Sequence, residues 1–210
     1  MNEASLAKSE RILLCDLLDS VGPDAPTLCE GWTTLDLAAH LVVRERRIDS
    51  GPGLLIPALA GWTDRVRTGA KARGLQRLVE QIRTGPPVWS PMRWADNAVN
   101  GLEYFVHHED IRRAQTGWEP RSLPSDLEDE LWKRVSGGAK MSMRRAPVGV
   151  VLERPDGTSV TAREAQPSVA VVGPSGEIAL FTSGRTSAAR VELRGDADAV
   201  TSLRSAKLGV

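Results

Sequence analysis

The sequence predicts a helical bundle over residues 1–120 followed by a small α+β domain over residues 121–210, and three observations predict it. In the first half, apolar residues recur at three- and four-residue steps between strong Gly and Pro punctuators, the period of amphipathic helices. Beyond Pro120 come short runs of strand composition joined by turn residues. Between the two lies Gly117 to Pro124, a break in both patterns. The 210 residues suffice for one large domain or two small ones.

A first helix is expected from about Ser5 to Val21, burying Ile12, Leu13, Leu17 and Leu18. The loop GPDAPTLCEGW follows. Thr33, with Asp36 three residues on, is a capping-box signature for a second helix to about Arg47. The Gly- and Pro-broken segment Gly51 to Gly61 interrupts the pattern. Its Leu54, Leu55, Ile56 and Leu59 suit a lid or pocket wall, or a loop packed on its own bundle. A third helix is expected within Trp62 to Arg83, weakened by Gly69 and Gly74. A fourth runs from about Trp94 to Gln115 and stops at Gly117.

In the second part, Ser125 and Glu128 form another capping-box signature, for a helix ending near Gly137. The stretch SGGAKMSMRR at 136–145 reads as a mobile loop. Strands are expected at 148–153, 159–164 and 169–172, the first two joined by the turn RPDG. A short helix in GEIALFTSG, a strand in RVELRG and a helix from about Asp196 to Lys207 close the pattern.

Basic and acidic residues balance at 27 each, so there is no net positive field to drive nucleic-acid binding. No stretch approaches the ~18 apolar residues of a membrane helix, and the polar start MNEASLAKSE lacks the apolar core of a signal peptide. A soluble, cytoplasmic protein without a membrane or nucleic-acid partner is expected. Cys15 and Cys29 have no C-x-x-C spacing and form no disulfide framework. Each is read as a small buried hydrophobe rather than a nucleophile.

The stretch NGLEYFVHHEDIRRA at 100–114 concentrates the chemistry. Val99, Leu102, Glu103, Val106, His107 and Asp110 share one helical stripe, and its apolar members mark it as the buried face. Glu103 and His107 then point inward one turn apart, and an inward carboxylate is costly unless paired or bound to a metal. On the second helix, Leu37, His40, Leu41 and Arg44 share a face. His40, Glu103 and His107 could thus converge in a bundle core, leaving an ion one open position as in catalytic zinc sites. A Glu and a His one turn apart also make an ion pair without a metal, so spacing leaves both readings open. Asp110 is read as a carboxylate that orients an imidazole. His108 falls off the stripe, and Arg112 and Arg113 are read as solvent-facing or inter-domain pairs. Arg44 would meet either a substrate carboxylate or a fourth-helix acid such as Asp110.

Three segments, ERILLCDLLDSVGPDAPTLCEGWTTLDLAAHLVVRERR, NGLEYFVHHEDIRRAQTGW and GEIALFTSGRTSAARVELRGDADAV, resemble the actinobacterial metal-binding proteins related to mycothiol-dependent maleylpyruvate isomerase. These belong to the wider DinB-like four-helix-bundle superfamily. The resemblance implies a divalent metal, usually zinc, held by His40, Glu103 and His107, with mycothiol as cosubstrate. It implies that the first part is a DinB-like four-helix bundle and the second a sterol-carrier-like α+β domain. In the latter, Gly184 and Arg185 match a Gly-Arg whose arginine looks functional. Arg185 is equally readable as a turn residue paired with a surface carboxylate.

The superfamily runs several chemistries on this fold, so fold and metal do not fix the reaction. No Cys-His pair or serine triad is expected near the metal's open position. The nucleophile would therefore be an external thiol, or water, attacking a small electrophilic substrate. Addition and expulsion would give isomerisation, and displacement would give thiol transfer. A non-catalytic metal- or ligand-binding protein and a metal-dependent hydrolase are the alternatives. Hydrolysis ranks below thiol chemistry because no further carboxylate is placed as a general base.

Overall fold

The computed structural model describes residues 6–46, 60–88, 90 and 96–209. They separate into two compact units, Met1–Glu119 and Pro120–Val210. The segment Gly51 to Leu59, the Trp94 start expected for the fourth helix and the Arg47 end expected for the second lie outside the described residues.

The first unit holds five helices among the described residues: α1 (Leu6–Val21), α2 (Thr34–Arg46), α3 (Ala60–Lys71), α4 (Leu75–Thr84) and α5 (Asp96–Arg112). Where one helix was expected over Trp62 to Arg83 there are two. The chain turns at Gly74, whose φ of 80° lies in the left-handed region that side chains disfavour. Gly69, by contrast, stays inside α3. Helix α1 packs along α5 and α4, and α2 packs on α3 and α4. Leu14, Leu18, Leu37, Leu41, Leu78, Ile82, Tyr104 and Ile111 form their common core.

The buried face of α1 is only partly the expected one: Leu18 is fully buried as expected. Ile12 and Leu13 are exposed, Leu17 is half-buried, and the inward stripe is Leu6, Glu10, Leu14 and Leu18 with Ala7, Arg11 and Cys15. Its two charged members are paired. Glu10 meets His108, and Arg11 donates to Glu45 Oε1 at 3.1 Å, an oxygen that the Tyr104 hydroxyl also reaches. Pairing is what permits charge in a core.

The second unit contains α6 (Ser125–Ser142), β1 (Gly149–Glu153), β2 (Ser159–Arg163), β3 (Ser168–Val172), α7 (Ser175–Thr182), β4 (Glu192–Arg194) and α8 (Ala197–Ser205). The strands form one sheet in the order β2-β1-β3-β4. β1 runs parallel to β3 and antiparallel to β2, and β4 is antiparallel to β3. Val150, Leu152, Val169 and Val171, at alternate positions, are all fully buried.

Two expectations about α6 fail. The helix continues through Gly137 and Gly138 to Ser142, so most of the supposed mobile loop is helical. Leu131, Val135, Ala139 and Met143 are buried on one stripe, and that packing overrides the glycines' low propensity. No capping box forms at Ser125 either. Glu128 instead accepts the Ser175 N–H at 2.5 Å, at the start of α7. All eight residues of α7 are buried, so its leading donors need a protein partner, whereas the exposed Ser125 can use water.

Candidate metal centre

Helix α2 starts on the expected capping box, with Thr33 donating to Asp36 Oδ2 from its N–H at 3.2 Å and from its hydroxyl at 3.0 Å. Leu37 and Leu41 bury beside it in the core. Their phase turns His40 and Arg44 toward α5. On α5, Tyr104 to Ile111 are buried without interruption, so this helix is enclosed on several faces rather than along one stripe.

The three side chains meet. Glu103 Oε1 lies 3.2 Å from His107 Nε2 and 3.4 Å from His40 Nε2, and the imidazole centroids are 5.4 Å apart. One ligand atom from each of the three lies within 4.8 Å of the other two. His107 is buried, whereas the side chains of His40 and Glu103 keep 20% and 30% of their exposure, so the cluster opens on one side. Two imidazole nitrogens and a carboxylate oxygen, partly open to solvent, are a donor set that fits a divalent ion with an exchangeable position.

Asp110 fixes the orientation of His107. It is fully buried, and its Oδ2 lies 2.9 Å from His107 Nδ1. A carboxylate can only accept, so Nδ1 carries a proton toward Asp110, and Nε2, which faces the Glu103 carboxylate, carries one as well until a metal displaces it. The loop between α1 and α2 adds a contact the sequence did not reveal. The Cys29 thiol donates to the same Asp110 Oδ2 at 3.3 Å, and the Leu28 N–H donates to the Asp110 carbonyl at 3.0 Å. A cysteine therefore does lie beside a histidine here, against expectation, but on the Nδ1 side, where Cys29, His107 and Asp110 form a second group with ligand atoms within 4.8 Å. Cys15 behaves as expected: it is fully buried, and burial pushes its thiol up to about 12.

Electrostatics separate the two histidines. Burial disfavours the His40 imidazolium and outweighs the Glu103 bond, so its pKa falls. Burial acts the same way on His107, but hydrogen bonds to Asp110, Cys29 and Glu103 overcome it and raise that pKa well above the usual histidine range. For Glu103, burial raises the pKa, and hydrogen bonds from His107 and His40 together with the charges of His107 and Arg44 hold it well below the carboxylate range. Glu103 is thus an ionised acceptor at the centre of the cluster.

The remaining candidates sit elsewhere. Arg44 Nε is 3.5 Å from Glu103 Oε1, and its guanidinium also donates to Asn100 Oδ1, so Glu103 rather than Asp110 is its acid on α5. His108 is buried, with Nδ1 2.8 Å from Glu10 Oε2. Arg113 is buried as well, bonded to Glu109 Oε2 at 2.6 Å and stacked 4.7 Å above the Trp118 ring, whereas Arg112 holds the other Glu109 oxygen at 2.8 Å. Arg113 is thus not solvent-facing and Arg112 is only partly so; a fully buried Glu109 draws both in. Arg185 lies in the second unit, just past α7. Gly184, with φ 86°, donates its N–H to the Phe181 carbonyl and Arg185 donates its own to the Leu180 carbonyl, which is a Schellman closure. The Arg185 side chain donates to the Ser183 carbonyl at 2.6 Å.

No family model matches the chain, and no curated protein does. Among solved structures it is similar to the crystal structure of the mycothiol-dependent maleylpyruvate isomerase and to that of a histidine-to-alanine mutant of the same enzyme. Each gives a TM-score of 0.58 and 18% identity over 90% of both chains. At that identity the likeness is one of fold, and the resemblance seen in the sequence holds at that level: the chain shares the isomerase's mixed architecture of helices and a small sheet.

Proposed function

We propose that the chain binds a divalent metal, zinc foremost, through His40, Glu103 and His107, and that it is a mycothiol-dependent thiol transferase or isomerase acting on a small electrophilic substrate in the cytoplasm. The observation that carries this reading is the convergence of two imidazole nitrogens and a carboxylate oxygen within 4.8 Å on a fold shared with a thiol-dependent isomerase.

A free thiol, with a pKa near ~8.5, is only a few per cent thiolate at neutral pH. A divalent cation, when bound, supplies the positive charge that deprotonates a coordinating thiol. The chain's own residues prepare the site. Asp110 keeps a His107 proton on Nδ1 and aims Nε2 at the cluster. Arg44, beside Glu103 and only partly buried, offers a guanidinium for a carboxylate on the thiol or the substrate. The Trp32 ring, 5.3 Å from that of His40, closes one side of the imidazole against water. Arg185 is proposed as a further functional arginine of the second, sterol-carrier-like unit.

Metal-loaded protein incubated with mycothiol and a panel of electrophiles, followed by mass spectrometry, tests the reading. Thiol-dependent turnover is expected. Turnover without thiol would indicate a hydrolase, and stoichiometric metal without turnover would indicate a non-catalytic binding protein.

A further inference from the structure

The loop between α1 and α2 touches both histidines of the cluster. Trp32 lies against the His40 ring, and Cys29 reaches His107 through Asp110. The loop is itself fixed. Thr27 Oγ1 accepts the Cys29 N–H at 3.2 Å and donates to the Trp32 carbonyl at 3.0 Å, Pro26 bridges to Thr33, and the Leu28 N–H is tied to the Asp110 carbonyl at 3.0 Å. The thiol therefore reaches α5 at one defined height on the helix.

Resting on the metal reading above, we infer that Cys29 is a positioning residue: its thiol holds the Asp110 carboxylate so that His107 presents Nε2 to the metal. The same Oδ2 receives both the Cys29 thiol and His107 Nδ1. Two donors on one oxygen fix the rotation of a carboxylate that is fully buried and out of reach of bulk water. Without the thiol, Oδ2 loses one of these two donors, and the ring's orientation loosens. Partners of this kind, one bond removed from a ligand, typically change metal affinity about 10- to 100-fold. Cys29, His107 and Asp110 also bring one ligand atom each within 4.8 Å, but the thiol bonds Oδ2 on the Nδ1 side rather than the Nε2 side that faces Glu103, which is the geometry of an orienting contact.

Chelator competition on full-length wild type, Cys29→Ala and Cys29→Ser, loaded with zinc or cobalt, tests the inference. Cys29→Ala is expected to weaken metal binding by roughly 10-fold or more, and Cys29→Ser, whose hydroxyl is also a donor, to recover most of that loss. The melting temperature of the metal-free proteins is expected to stay close to wild type. In metal-free protein, NMR should show the His107 Nδ1–H proton, held against Asp110 in the wild type, exchanging faster with water in Cys29→Ala and slowed again in Cys29→Ser. Unchanged affinity and unchanged Nδ1–H exchange in Cys29→Ala would overturn the inference while leaving the metal trio standing. A thiolate-to-cobalt charge-transfer band that vanishes in Cys29→Ser would overturn it by making Cys29 a ligand. Wild-type protein that takes up no metal would instead sink the trio itself, with the NMR comparison still deciding the role of Cys29.

Discussion

His107 and His108 are adjacent in sequence and do opposite things. His107 Nε2 joins Glu103 and His40, whereas His108 turns to α1 and meets the fully buried Glu10. His108→Ala is therefore expected to keep the metal yet lose about 1–3 kcal/mol of stability, because the fully buried Glu10 loses its hydrogen bond to Nδ1, as denaturant unfolding would show. Loading metal must displace any proton on His107 Nε2, and His107 holds its protons more tightly than an ordinary histidine. Apparent metal affinity should accordingly rise with pH through neutrality, with protons released on binding, which calorimetry in buffers of different ionisation enthalpy would register. The two cysteines should also differ. Cys15, buried and with its thiol at about 12, is expected to resist a disulfide reagent until the protein unfolds, and the half-buried Cys29 to react in the native state. Separating His107 from His108 was possible from helical spacing alone. The partners of His108 and Cys29 were not, because Glu10 and the α1–α2 loop are distant in sequence and reach α5 only through tertiary packing.

Elements whose ends carry local chemistry were legible. The Thr33–Asp36 box starts α2 where the sequence places it, and the strand composition at 148–153 and 159–164 marks β1 and β2. Elements decided by packing were not. The adjacent apolar pair Ile12 and Leu13 suggested the wrong face of α1, because the true stripe contains Glu10 and Arg11, whose burial depends on Glu45 and His108. The Ser125 box failed because Glu128 serves the buried start of α7. Gly184 is a local feature with a tertiary consequence: a Cβ there would sit 2.7 Å from the Leu208 carbonyl oxygen in a left-handed backbone. Gly184→Ala should cost roughly 1–3 kcal/mol in thermal unfolding. Arg185→Ala, with the backbone closure intact, is expected to keep the fold by circular dichroism and to lower thiol-dependent turnover.

At the scale of the whole molecule, His40, Glu103, His107, Asp110, Arg44, Trp32 and Cys29 all belong to Met1–Glu119, which has its own apolar core. A fragment ending at Glu119 is expected to bind metal as the full chain does, and a fragment from Pro120 to bind none, as elemental analysis of each would report. The central claim is the three-residue centre, and the most direct test is elemental analysis of reconstituted wild type, His40→Ala and His107→Ala beside circular dichroism. Stoichiometric metal in the wild type and its loss from both folded variants is the predicted result. Metal retained at the wild-type level in both variants would contradict it.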